Sequence, residues 1–319
     1  MKKYLSLMLV FALAAALLAG CANANPVSTE PIRVGGLKGP TGMGMAPLMQ
    51  EEYAAQYAIT LSGAPDDVTA KLISGELDIA AVPLNLASVL YNKMQGGVAM
   101  LAVNTLGVLY VLENGETVHS LADLSGKTLA ATGQGSTPEY MLNYLLDSAG
   151  LAGAVTVEYK AEHSELVTLM AAGDVSLGML PEPNVTSVLM GNEGVRVALD
   201  LTDIWTEAAG VEPVQGCLVA RREYLEQNEK AVEQFLADYA KSVAYVNANI
   251  DEAAALMETH GVIPKAAVAK KAIPNSNIVC VTGADMREMA EAMLTVLFDA
   301  NPKSVGGTMP ADDFYYGGK

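Results

Sequence analysis

The 319-residue chain writes one stretch of itself twice. "LISGELDIAAVPLNLASVL" begins at Leu72, and "LMAAGDVSLGMLPEPNVTSVL" begins at Leu169. At an offset of 98, Gly75 aligns with Gly173, Glu76 with Asp174 and Pro83 with Pro181. One extra residue then raises the offset to 99, which aligns Asn85 with Asn184 and Ser88-Val89-Leu90 with Ser187-Val188-Leu189. Solenoid and propeller units repeat every roughly 20–50 residues. This longer period fits two related lobes instead.

Each copy sits in a strand–helix–strand–helix–strand pattern. In the first, "IRVGG", "AITLSG" and "LDIAAVP" read as strands, and "MAPLMQEEYAAQY" and "APDDVTAKLISGE" as helices. In the second, "GKTLAAT", "AVTVEYK" and "VSLGMLP" alternate with the helices "PEYMLNYLLDSAG" and "EHSELVTLMAAGD". Strands alternating with helices at this spacing predict α/β units with a mainly parallel sheet in each lobe. Two strand-rich segments, "VAMLAVNTLGVLYVLENGE" and "VEPVQGCLVARREYL", carry the chain out to the second lobe and back. The helical remainder, from Glu229 onward, is assigned to the first lobe. The expected division is 32–117 plus 214–319 for lobe one and 118–213 for lobe two, with a two-crossing hinge and a cleft between them.

The N-terminus is excluded from this fold. Lys2 and Lys3 precede an apolar run that ends in small residues, the form of a secretory signal peptide over residues 1–20. The ending "LAGC" resembles a bacterial lipobox, which makes Cys21 the lipidated residue and 21–31 a flexible tether. About 290 residues remain, enough for two cores. The formal net charge of −17 argues against nucleic acid and against a basic membrane patch. It suits a protein held at the extracytoplasmic face of the cell membrane by lipid alone.

In open α/β sheets, ligands sit beyond the carboxyl ends of strands, where helix N-termini offer unpaired N–H groups. These ends read "GGLKGPTGMG", "VPLN", "ATGQGST" and "LPEPN". The candidate ligand-binding residues are therefore Thr41, Gly42 and Met43; Pro83 and Asn85; Gly135, Ser136 and Thr137; and Glu182 and Asn184. The repeat would then build one wall of the pocket in each lobe. Glu182 has two readings: it lines the cleft and favours a cationic solute, or it faces solvent or pairs across the hinge. Lys38, Tyr110, Trp205 and Gln215 are weaker candidates. Cys217 and Cys280 are either a disulfide or two buried thiols. The Gly- and aromatic-rich tail after Ser304 packs on lobe one or meets a partner.

No metal or cofactor is expected. His119, His163 and His260 lack metal-ligand spacing, and no G-x-S-x-G elbow is present. The segments "GKTLAATGQGSTPEYMLNYLL" and "AAGDVSLGMLPEPNVTSVL", with the lipobox, resemble the substrate-binding lipoproteins of ABC importers, nearest the nitrate/sulfonate/taurine and thiamine-precursor binding family. That resemblance implies a two-lobed type 2 periplasmic-binding-protein fold. It also implies a monomer that captures a small organic solute or oxyanion and passes it to a permease. With no G-x-x-x-x-G-K-[ST] in this chain, the ATPase would be a separate polypeptide. An enzyme on the same fold, or a receptor signalling to a membrane partner, are the alternatives. The family's biosynthetic branch carries a cysteine-rich stretch that this chain lacks.

Overall fold

The computed structural model describes residues 30–318. The signal peptide, Cys21 and most of the tether fall outside the described residues. The chain enters through β1 (Ile32–Leu37), α1 (Pro40–Met43), β2 (Tyr57–Ser62), α2 (Pro65–Ser74), β3 (Ile79–Pro83), α3 (Leu84–Lys93) and β4 (Val98–Leu106). It crosses into β5 (Leu109–Asn114), β6 (Thr128–Ala131), α4 (Thr137–Ser148), β7 (Thr156–Tyr159), α5 (His163–Ala172), β8 (Leu177–Pro181), α6 (Asn184–Gly191), β9 (Val195–Asp200) and α7 (Leu201–Ala209). It returns through β10 (Val214–Arg221), α8 (Arg222–Gln227), α9 (Glu229–Ala248), α10 (Ile250–Thr259), α11 (Ala266–Ala272), β11 (Ile278–Val281) and α12 (Gly283–Ala300).

Two sheets result. The first has the strand order β11-β4-β10-β3-β1-β2, the second β7-β6-β8-β5-β9. Both are mixed rather than mainly parallel. β1 pairs in parallel with β2 and β3, and β6 with β7 and β8. The crossing strands β5 and β10 pair antiparallel with their neighbours. The reason is connectivity: these strands arrive from the other lobe rather than over a crossover helix, so nothing imposes a parallel direction. β5 also corrects the expected lobe boundary. Residues 109–114 lie in the second sheet, so the outward crossing falls at Gly107–Val108.

The repeat has a backbone explanation. Gly75 ends α2 and Gly173 ends α5, both in the left-handed conformation, at φ of 80° and 84°. A helix stopped this way delivers the chain directly into the buried strand that follows, and Gly adopts the angle without a Cβ penalty. Both following strands, β3 and β8, are buried along their whole length, which accounts for their continuous apolar run.

The segment after α1 departs from the single expected helix and forms two 3-10 turns, Ala46–Met49 and Glu51–Tyr53. Pro47 has no N–H for an α-helical ladder and its ring crowds the preceding turn. The tail packs on lobe one. Ser88 Oγ donates to Val305 O at 2.7 Å, Tyr316 N donates to Met100 O at 3.0 Å, and the buried Phe314 ring meets Tyr91 edge-on at 5.2 Å. Cys217 and Cys280 are free thiols. They lie on β10 and β11, which flank β4 on opposite sides, and two inter-strand spacings exceed the reach of a disulfide.

An ion pair with a buried carboxylate fastens the start of β3 to β1. Asp78 is almost fully buried. It accepts from Arg33 Nε at 2.8 Å, from the Arg33 backbone N at 3.1 Å and from Arg33 Nη2. Removing the carboxylate takes away the acceptor of a backbone donor and the main partner of the half-exposed Arg33 guanidinium. Asp78→Ala is expected to lower unfolding stability by about 3 kcal/mol, read from urea denaturation. Solute affinity should not change, because this pair lies at the opposite end of β3 from Pro83.

Candidate functional site

The carboxyl ends of β1, β3, β6 and β8 converge between the lobes, as their place in the two sheets requires. They enclose a cavity of about 80 Å³. From lobe one come Leu37, Thr41, Pro83 and Gln215; from lobe two come Ser136, His163 and Pro181. Lys38, Gly63, Glu162 and His163 also line an outer groove of about 450 Å³, so the two spaces form one cleft.

The polar equipment inside is small and uncharged. Thr41 and Gln215 are each 5% exposed, and Thr41 Oγ1 and Gln215 Oε1 have no hydrogen-bond partner. A buried polar atom left unpaired costs about 1–3 kcal/mol, and both of these belong to residues that line the cavity. His163 Nδ1 lies 2.7 Å from Thr132 Oγ1. Burial pushes the imidazole pKa down to about 4, against a smaller upward pull from Glu162. The ring is therefore neutral at physiological pH. Lys38 and Glu162 carry the charges of the cleft, and both are exposed at its mouth.

The candidate residues separate into five places, the last being that of Glu182. Thr41, Pro83 and Ser136 line the inner cavity, and Asn184 lines the outer groove. Gly42 and Met43 stand behind the wall: Met43 is fully buried in the lobe-one core, and a Cβ on Gly42 would lie 2.1 Å from Leu37 O. Asn85, Gly135 and Thr137 form a latch between the lobes. Asn85 Nδ2 donates to Gly135 O at 3.2 Å and to Ser304 O at 3.1 Å. Thr137 Oγ1 donates to Asn85 Oδ1 at 3.2 Å, and Asn85 N donates back to Thr137 Oγ1 at 3.3 Å. Both donors of that amide and one acceptor position of its oxygen are directed at protein.

Glu182 corrects the cationic-solute reading. It is 3% exposed and accepts from Thr186 N at 3.0 Å and Thr186 Oγ1 at 2.9 Å. It lines a different cavity, of about 700 Å³, together with Tyr110, Glu193, Asp200, Lys271 and Asn275. Burial raises the pKa of both Glu182 and Asp200, and pushes the Tyr110 phenol up to about 12. The repeat itself explains the position: at the offset of 98, Glu182 stands where Leu84 stands in the first copy, and Leu84 is core. Trp205 is also core, its ring 4.9 Å from that of Tyr144. Gly63, Glu162 and His163 went unmarked in the sequence, although they follow β2 and β7. The strand-end rule identifies them once it is applied to every parallel strand.

The closed cleft and its paired sheets define the class: a two-lobed periplasmic-binding-protein fold. Solved structures of ABC transporter substrate-binding proteins share it. An ABC transporter structure from Parabacteroides distasonis superposes with a TM-score of 0.75 at 23% identity, covering 89% of this chain and 98% of that one. The periplasmic aliphatic sulphonate binding protein SsuA from Escherichia coli gives 0.69 at 20% identity, over 88% and 91%. The periplasmic nitrate-binding protein NrtA from Synechocystis PCC 6803 gives 0.56 at 12% identity, over 72% and 66%. No curated protein matches the sequence. A family model described as NMT1/THI5 like matches residues 58–253, and the chain belongs to that family.

Two expectations follow from this geometry. Asn85→Ala removes the interlobe latch and is expected to shift the lobes apart, read as a larger radius of gyration in X-ray scattering with secondary structure retained. His163 gives a pH dependence. The unfolded imidazole binds a proton near pH 6.5 and the folded one only near 4. Between these values the unfolded state holds more protons, so stability falls as pH drops through that window. His163→Gln should lose less melting temperature than the parent between pH 7 and pH 5.

Proposed function

We propose that this protein is the solute-binding component of an ABC importer, lipid-anchored through Cys21 on the extracytoplasmic face. It would capture one small solute between its lobes and present the closed form to a permease whose ATPase is a separate chain. The observation that carries this reading is the cavity between the two lobes, lined by Thr41 and Gln215, whose side-chain oxygens Oγ1 and Oε1 have no hydrogen-bond partner. A solute that satisfies groups on one lobe and touches the other stabilises closure by its differential affinity for the closed state. The site reads as one for binding rather than catalysis. Its unpaired groups are an amide and a hydroxyl, and no base is hydrogen-bonded to that hydroxyl. Thr41, Pro83, Ser136 and Asn184 keep their assignment as ligand-facing residues, joined by Gln215 and His163. Gly42, Met43, Gly135, Asn85 and Thr137 are assigned to positioning instead. The protein works as a monomer in this reading, because the cavity is complete within one chain.

Ala161 lines the cavity and is exposed. Ala161→Trp should fill the cleft and leave the fold intact. Full-length protein exposed to a small-metabolite extract, washed and denatured, should release a solute detectable by mass spectrometry, and the tryptophan variant should release none. Equal release from both proteins would overturn the assignment of the cleft. Cys21→Ala should move the protein from the membrane fraction to the soluble one, and unchanged fractionation would overturn the lipid anchor.

A further inference from the structure

The cavity says what kind of solute it takes, and this inference rests on the cleft being the binding site. We infer that the cargo is an uncharged small solute carrying an amide-type edge, a C=O beside an N–H, as in a carboxamide, a urea or a lactam.

Charge is the first argument. The charged side chains along the inner cavity are Lys38 and Glu162. Both are exposed, they have opposite sign, and they sit where the cavity opens into the outer groove. Deeper in, the polar groups are an amide and hydroxyls. A charged solute drawn into that interior would lose its hydration with no counter-charge beside it.

Backbone donors are the second. Helix N-termini at strand ends ordinarily supply the N–H groups that hold an oxyanion. Here proline occupies those places. Pro40 is the first residue of α1, Pro65 the first of α2 and Pro138 the second of α4, while Pro83 immediately precedes α3. All four line the cavity, and proline has no N–H to give. Two neighbouring amides are already committed: Asn85 N to Thr137 Oγ1, and Gly135 N to the Glu139 carboxylate. The donor-rich mouth expected from the strand-end pattern is thus largely an apolar proline wall.

What remains is specific. The Gln215 side chain carries an acceptor and donors in one plane, and its Oε1 is buried and unpaired. Swapping its oxygen and nitrogen changes the order of the two groups, not their presence. Its complement is another planar amide edge, which donates to the oxygen and accepts from the nitrogen. The Thr41 hydroxyl adds a third point of attachment. The proline rings and Leu37 leave room for an apolar face. Size agrees: a single water needs about 10–15 Å³ by the same measure, so about 80 Å³ holds roughly half a dozen non-hydrogen atoms.

The test is calorimetric titration of the detergent-solubilised full-length protein. The amide probes are acetamide, propionamide, N-methylurea and 2-pyrrolidinone. The charged probes are nitrate, methanesulfonate and taurine. An amide probe is expected to bind with an affinity that high salt leaves unchanged. That affinity should fall roughly ten- to hundredfold in Gln215→Leu, the loss expected when a buried hydrogen-bonding group goes unmet. Thr41→Val, nearly isosteric, serves as the second probe of the same edge should Gln215→Leu not fold. Binding of nitrate or methanesulfonate that Ala161→Trp abolishes, with the amides silent, overturns the uncharged-cargo inference and leaves the cleft assignment standing. Amide binding unchanged in both Gln215→Leu and Ala161→Trp overturns both. Silence from every probe overturns the amide class.

Discussion

Everything in this architecture depends on the chain crossing between lobes at two adjacent points. The outward crossing runs through Gly107 and the return ends at Pro213, and the two touch. A Cβ on Gly107 would lie 2.7 Å from Pro213 Cγ and 2.4 Å from Thr202 Cγ2. Asn277 Nδ2 donates to Gly107 O at 2.6 Å, which ties the crossing to lobe one. Because the crossings lie side by side, the lobes can rotate about one axis and the strand ends beyond it face each other. Without Gly at 107 the crossings would have to separate, and the cleft would lose its hinge geometry.

The duplicated segment was put to unequal use on either side of that hinge. Both copies stop a helix with a left-handed Gly and run a buried strand to a Pro. Past that point they diverge. Asn85 spends its amide on Gly135, Thr137 and Ser304, so the first copy holds the lobes together. Asn184 faces the outer groove. The extra residue in the second copy separates Pro181 from Asn184 by one further position, and the first of the two residues between them, Glu182, falls on the Leu84 site. One wall is thereby a latch and the other an approach surface.

The sheets, the helices and the two-lobed division were legible because each rests on a local rule: continuous apolar strands, helix spacing, and Gly or Pro at ends. The direction of β5 and β10 was not, since it is set by where the chain has been rather than by the residues in the strand. The lining of the cavity was half legible. Thr41, Pro83 and Ser136 follow from strand ends, but Asn85 and Thr137 satisfy the same rule and serve each other. No local signal separates a polar residue that meets solute from one that meets the opposite lobe, because the difference depends on lobe closure. Gln215 was weighed lightly for a similar reason. It sits inside a strand that pairs on both sides, and only the three-dimensional position of that strand, beside the end of β3, brings its amide to the cavity.

Net charge and local charge play different parts. At −17 the chain carries a strong negative field, which repels anions before any contact is made. Short-range donors could overcome that field, as a helix N-terminus or a buried guanidinium does elsewhere. Along this cavity the first turns of three helices contain proline and the lone lysine is solvent-screened. The two scales therefore agree. The long-range field disfavours an anion on approach, and the interior supplies no counter-charge on arrival. A neutral solute is indifferent to the field and loses little hydration on entry. For the neutral solute inferred above, discrimination would fall to Thr41 and Gln215 and to the shape of the proline wall around them.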